Sequence, residues 1–405
     1  VCAALVATAC ALAARPCLAS GFLIYDISGQ AIARGSAVSA DVDEPAAVWF
    51  NPANLAFMGG VSASAGGTFI TSKSRFSPAG GGVETETNRG NFFLPAVFAN
   101  ALVSDRVAVG MGVYTTFDIG ITWPDAWQGR ESAISATLQT LTFNPTVAVR
   151  VHRQISVAAG FDAFRSVVDF TNGLPALIGG DVRLAGGTWG FGFNVAGLYK
   201  IYPGRLQVAL TYRSRAKLDF NDGRANFSPA NPDFAPVLPD GGGRASITLP
   251  DIITVGVMGR PRSDLALTFD ANLVLWSTYD RVVIDFQNPT TPDHVIAPNG
   301  RNAFTLRAGG DWAVPGRWSG THLRGGLIYD RSAIPSGSLG PGLPDSDRID
   351  VALGAGYGRG HFRGDLGYLL VIFLPADSTG GTEGPIGTYN TIAHLIGLTL
   401  TASWR

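Results

Sequence analysis

The feature that most constrains this chain is a repeated period-two alternation in a sequence that lacks, after residue 20, any apolar run long enough for a membrane helix. Such a helix takes about 20 residues. Around residues 206–218, Leu206, Val208, Leu210, Tyr212, Ala216 and Leu218 share one face, and Gln207, Thr211, Arg213, Arg215 and Lys217 share the other. At 302–312, Phe304, Leu306, Ala308 and Trp312 oppose Thr305, Arg307 and Asp311. At 322–330, Leu323, Leu327 and Tyr329 oppose Arg324, Ile328 and Asp330; at 362–370, Phe362, Leu366, Tyr368 and Leu370 oppose Arg363 and Asp365. One face is apolar and ends in aromatics, and the other is polar, as in half-buried strands.

A soluble sandwich alternates as well, with its apolar faces turned inward, but it rarely needs so many strands of this length. A transmembrane barrel turns the apolar face outward and closes on itself, because lipid cannot satisfy an open backbone edge. The composition fits a β-rich chain of either kind: 46% hydrophobic residues, 52 glycines and only 15% charged residues, against a usual quarter or so. The turns favour the barrel. Short links at 103–106, 151–154 and 260–264 alternate with long segments at 74–90, 221–243, 287–300 and 332–347, the short-turn, long-loop asymmetry of outer-membrane proteins. The hairpins sum to roughly fourteen strands, the even number such barrels use. The last strand puts Ile392, Ile396, Leu398, Leu400, Ala402 and Trp404 on one face. A net charge of −1 gives no electrostatic basis for binding nucleic acid.

Residues 1–19, ending in Cys17-Leu18-Ala19, have the small, apolar character of a signal peptide. Its basic start is missing, so the numbered chain is expected to begin within it and the mature chain at Ser20. All three cysteines, Cys2, Cys10 and Cys17, fall in this segment. The mature chain is expected to have no disulfide and no cysteine metal site. No His/Asp/Glu cluster has catalytic metal spacing, and neither cofactor nor metal is expected.

The segment 46–58, AAVWFNPANLAFM, is apolar at both ends around Asn51-Pro52-Ala53. Proline fits neither a helix interior nor a central strand. This stretch, in the context 20–56, resembles the mature N-terminus of the FadL family of outer-membrane transporters for long-chain fatty acids and other hydrophobic compounds. The resemblance extends, in the family's order, through Trp127-x-Gly129-Arg130 before a long strand, the stretch 249–281, and the stretch 323–358 with Ile334-Pro335 and Leu343-Pro344-Asp345-Ser346-Asp347-Arg348. It implies a fourteen-stranded barrel spanning 59–405, with a hatch at 20–58 folded into the lumen. Asn51, Pro52 and Ala53 would form a turn within that hatch.

The resemblance also implies capture of a hydrophobic ligand among the outer loops, a lumenal pocket, and sideways release into the bilayer through a gap where a strand kinks. Kinked strands favour glycine, so Gly110 and Gly112, with Gly120 beyond them, are the expected opening; the equal alternative is that these glycines make room for the hatch. Phe22 is expected to line the pocket. A fatty acid would need a cation for its head group. The candidates are Arg213, Arg215, Arg307 and Arg324, with Lys217 and Arg363 behind them; Asp311, Asp330 and Asp365 share the lumen face, so most of these cations are expected to be ion-paired wall residues. Aromatic hydrocarbon uptake on the same fold remains open, as does an open diffusion porin, which would lack the hatch. An outer-membrane phospholipase would need a Ser–His pair. Of His152, His294, His322, His361 and His394, only His394 lies on an outward strand face, and it has no evident serine partner, so no catalytic residue is expected. The expected location is the bacterial outer membrane, with its lipid and lipopolysaccharide and the barrel-assembly machinery as partners of a monomeric chain.

Overall fold

A computed structural model describes residues 21–88, 90–288, 291–379 and 384–404; the expected signal peptide lies outside them. Among the described residues, fourteen antiparallel strands close into a barrel. They are β1 Val61–Pro78, β2 Gly90–Ser104, β3 Val107–Thr122, β4 Ser135–His152, β5 Ile155–Gly173 and β6 Gly180–Tyr202. Four interrupted strands follow: β7 (Leu206–Arg213 and Ala216–Pro229), β8 (Gly241–Leu249 and Ile252–Arg262), β9 (Leu265–Val274 and Val282–Phe286) and β10 (His294–Ile296 and Ala303–Ala313). The set ends with β11 Thr321–Asp330, β12 Arg348–Arg359, β13 (Phe362–Phe373 and Ala376–Ser378) and β14 Gly387–Trp404. Closure runs along the full length of β1 and β14, from Val61 opposite Trp404 to Pro78 opposite Gly387.

The burial pattern is inverted relative to a soluble protein. Exposed side chains include Phe93, Val97, Phe191, Leu210, Leu327, Leu353 and Leu400, while Asn100, Thr142, Asn144, Asp162, Asn194, Asp270 and Asn272 are buried. An apolar outer belt around a polar interior is what a lipid-spanning barrel requires. Exposed Tyr202, Trp312, Tyr357 and Trp404 add aromatics to that belt.

The faces predicted for β10, β11, β13 and β14 are found, but β7 corrects one expectation. Residues 214–215 interrupt it opposite the break at 250–251 in β8, and the inward parity switches there. Ala216 and Leu218 are buried, while Lys217 is exposed and paired with Asp219. Arg215 is also outside. It is 60% exposed and pairs at 2.8 Å with Asp251, which also accepts a bond from the outward Tyr212 hydroxyl. Period-two counting across a break assigns the wrong face to everything beyond it.

Residues 21–58 lie against the inner surface of this wall. Helix α1 (Gly29–Ala33) is capped by Ser28, whose Oγ accepts from Ala31 N at 3.1 Å. The helix and the Arg34-Gly35 turn after it rest on one glycine from each of five consecutive strands: Gly354, Gly367 and Gly397 under the helix, Gly309 and Gly326 under the turn. A Cβ at Gly367 would fall 2.5 Å from Gly29 O, and one at Gly354 would fall 2.4 Å from the Ala33 Cβ. The glycine-rich lumen face thus allows close backbone approach. Helix α2 (Ala47–Phe50) leads into a 3₁₀ turn, Pro52–Phe57. Asn51 answers the question its sequence poses. Its Oδ1 accepts from Ala53 N at 3.0 Å, and its Nδ2 donates to Ser39 O at 2.9 Å. Pro52 occupies the first turn, where no intrahelical N–H is needed.

Candidate ligand cavity and wall opening

Among the described residues the ladder is interrupted between β6 and β7, where 186–193 and 214–223 are unpaired, and between β2 and β3, where the N-terminal segment meets the wall. Strand β2 pairs with β1 from Gly90 through Ala101, and β3 pairs with β4 from Val107 to Thr122. Strands β2 and β3 pair with each other only from Val97–Val113 to Ser104–Val107. Residues 90–96 and 114–122 therefore face one another with no ladder between them. The cause is local. Thr116 is an extra residue in β3: Thr115 opposes Leu141 and Phe117 opposes Thr140. A bulge of this kind bends its strand.

Inside the gap, the N-terminal segment pairs with the bent strand. Ile24 N donates to Thr116 O at 2.7 Å and Asp118 N to Phe22 O at 3.2 Å. Gly110 and Gly112, the expected opening, lie below it in the paired part, opposite Asn100 and Phe98. A Cβ on Gly110 would meet Leu55 and Val48, so Gly110 makes room for the N-terminal segment and does not form the gap. Gly120 does border it, with the Phe92 ring 2.2 Å from where its Cβ would be. Pro95, within the strand that flanks the gap, was the missed signal, because proline in a sheet marks an edge.

Three neighbouring cavities have lining residues in common. One of about 320 Å³ among the outer loops is lined by Ala133, Phe170, Tyr279, Ile334 and Leu343. One of about 200 Å³ inside the lumen is lined by Phe22, Ile24, Ile70, Val371 and Leu395, and shares Ile119, Gly342 and Leu343 with the first. The third, about 450 Å³, opens at the wall gap between Phe92, Leu94, Thr115, Leu141 and Arg165, and shares Asp118 with the lumenal cavity.

Phe22 lies where it was expected, buried against an aromatic cluster. Its ring centroid is 4.6 Å from Trp276, 5.5 Å from Tyr279 and 6.0 Å from Phe117. Trp276 and Tyr279, not singled out in the sequence, come from the interruption of β9, where the alternation fails. The candidate cations do not gather here. Arg213 pairs with Asp162 at 2.8 Å and lies over the Trp49 ring. Arg307 covers the Tyr25 ring at 4.0 Å. Arg324 is clamped between Asp311 and Asp365, each at 2.6 Å. Arg363 holds Asp43 at 3.1 Å. Arg213, Arg307 and Arg363 tie wall and N-terminal segment together, Arg324 ties wall strands to one another, and none of the four lines the lumenal cavity. Arg348, which sequence reading passed over, does line it. Asp345, in the loop before β12, anchors the cavity's edge by accepting from Gly21 N at 3.0 Å and Ser332 Oγ at 2.6 Å. Burial pushes its carboxyl up to about 7, against the pull of Ser332 and Arg348. The outward His394 bonds the Tyr368 hydroxyl at 2.8 Å.

A closed barrel with an apolar belt and an occupied lumen defines a transmembrane protein of the outer-membrane type. The profile described as "Outer membrane protein transport protein (OMPP1/FadL/TodX)" matches residues 10–368, and the chain belongs to that family. It is a protein of the bacterial outer membrane. It is 22% identical over 396 residues to a long-chain fatty acid transport protein of Shigella flexneri, covering 87% of each chain. In fold it is similar to a crystallised Pseudomonas aeruginosa FadL homologue (TM-score 0.83, 18% identity, 95% of this chain and 100% of that one). It is also similar to the Pseudomonas putida toluene transporter TodX (TM-score 0.73, 15% identity, 96% and 99%).

Proposed function

We propose that this chain takes up long-chain fatty acids or similar hydrophobic molecules across the outer membrane. The ligand is captured in the loop cavity, passes to the lumenal cavity beside Phe22, and leaves sideways into the bilayer between β2 and β3. The observation that carries this reading is the succession of cavities, the first two sharing Ile119 and Leu343 and the last two sharing Asp118 at the gap. Apolar linings suit a ligand that partitions poorly through water. Residues 20–58 act as the hatch that denies a straight aqueous path, which argues against an open porin. The protein performs no covalent chemistry and works as a single chain. The aromatic ring set around Phe22 favours aromatic hydrocarbons as the second substrate class, since rings pack well edge to face.

The test is uptake of labelled oleate and labelled toluene by cells without their own transporter, comparing the intact chain with a variant lacking residues 20–22. Uptake of either solute that falls in the variant supports the reading. Free passage of small polar solutes, with neither hydrophobic solute taken up, refutes it.

A further inference from the structure

The polar lining of the lumenal cavity is lopsided. Four carboxylates border it, from Asp26, Asp118, Asp345 and Asp350, against the single guanidinium of Arg348. Its Nη2 is bound to Asp330 at 2.5 Å; its Nε, without a hydrogen-bond partner among the described residues, lies 3.7 Å from Asp350, so its charge is shared between two carboxylates. Asp26 and Asp345 have donors of their own in Ser36 Oγ and Ser332 Oγ. The other two carboxylates keep unused acceptor capacity. Asp350 is 3% exposed, and its Oδ1 has no hydrogen-bond partner among the described residues. Asp118 is half-buried, and no hydrogen bond or ion pair to its side chain is found among the described residues. It borders both the lumenal cavity and the wall gap. On the membrane side of that gap, Arg165 donates to the Ser166 and Thr188 carbonyls at 3.2 and 3.0 Å.

We infer that the lumenal cavity and the exit beside Asp118 select hydrophobic molecules whose polar end donates a hydrogen bond, such as alcohols, phenols or amines, over those ending in a carboxylate. This rests on the transport reading above and narrows its substrate class. A carboxylate brings no donor to Asp350 Oδ1 or Asp118 and meets like charge in a poorly hydrated space. A hydroxyl satisfies those acceptors with no charge to repel, and an ammonium meets more carboxylates than guanidinium groups in the lumenal cavity. Discrimination of this kind comes as much from repelling the wrong head group as from holding the right one.

The experiment uses the purified full chain in lipid nanodiscs, with a fluorescent apolar probe displaced by dodecanol, dodecylamine, laurate and dodecane. It is run at about pH 8, where laurate is ionised and the amine protonated. Dodecanol and dodecylamine are expected to displace the probe at roughly tenfold lower concentration than laurate. Asp118→Asn and, separately, Asp350→Asn are expected to improve laurate severalfold while leaving dodecane unchanged. Laurate displacing as well as dodecanol overturns the inference and leaves the transport reading standing. Failure of all four compounds, dodecane included, overturns both.

Discussion

The Arg213 guanidinium and the Asp162 carboxylate meet at 2.8 Å inside the barrel, the two side chains only 9% and 2% exposed. From the same group, Nη2 donates to Val48 O at 2.8 Å and Trp49 O at 2.9 Å. One wall cation thus neutralises a wall anion and fastens the N-terminal segment.

Arg213→Met should leave Asp162 buried without its partner, costing roughly 3–5 kcal/mol. The expected signature is a lower unfolding midpoint in urea together with protease cleavage within residues 21–58. Arg213→Met combined with Asp162→Asn should recover much of the loss, because the orphaned charge is then gone.

The glycine bed under α1 makes a second prediction. Gly367→Leu places atoms where Gly29 O already sits, 2.5 Å from the new Cβ. The barrel strands should still assemble, since only the lumen side is altered. The segment 21–58 should be displaced, and cells carrying the variant should admit small polar solutes that the parent excludes. Unchanged exclusion would show that the segment does not seal the lumen.

Asn51→Ala removes a cap and a donor to Ser39 O, leaving Asn54 Nδ2, at 3.1 Å, as the remaining side-chain donor to that carbonyl. A loss of about 1 kcal/mol is typical for such a cap. Faster hydrogen exchange at Ala53 and Asn54, with the wall strands unaffected, is the expected readout.

Asp345 gives a pH dependence whose sign follows from its raised carboxyl. The folded chain holds this proton more tightly than an unfolded aspartate, whose pKa is near about 4. The contribution is therefore fully present below about pH 4 and is lost as pH rises toward about 7, with no further change above. The thermal midpoint of the parent should fall between pH 5 and pH 8 by more than that of Asp345→Asn.

Strand number, outward faces and the interior position of 21–58 were legible because each follows from periodicity or from a resemblance resting on ordered motifs. The cations were not. Alternation identifies which arginines face inward, as it did for Arg213, Arg307 and Arg324, and it puts Asp311 and Asp365 on the same face, where they pair with Arg324; it gives no sign of the partners from more distant segments, Asp162 for Arg213 and the Tyr25 ring for Arg307. Arg215 was lost to a two-residue interruption that reverses parity. Of the two readings of Gly110 and Gly112, room for the N-terminal segment fits the structure, while the gap in the β2–β3 ladder lies beside the bulge at Thr116 and the edge proline Pro95. A bulge is a mismatch between two strands, visible only once β3 is set against β4.

Lateral release is the central claim, and the bulge offers a direct way to test it. Deleting Thr116 would make the β3–β4 ladder continuous and bring residues 114–122 against 90–96 of β2. Once a crystal structure of the variant shows the wall closed, uptake of labelled oleate and toluene by cells should be compared with the parent. The account predicts that the purified variant still binds ligand while uptake falls roughly tenfold or more. Undiminished uptake through a closed wall would contradict it and place the exit along the barrel axis, past the N-terminal segment.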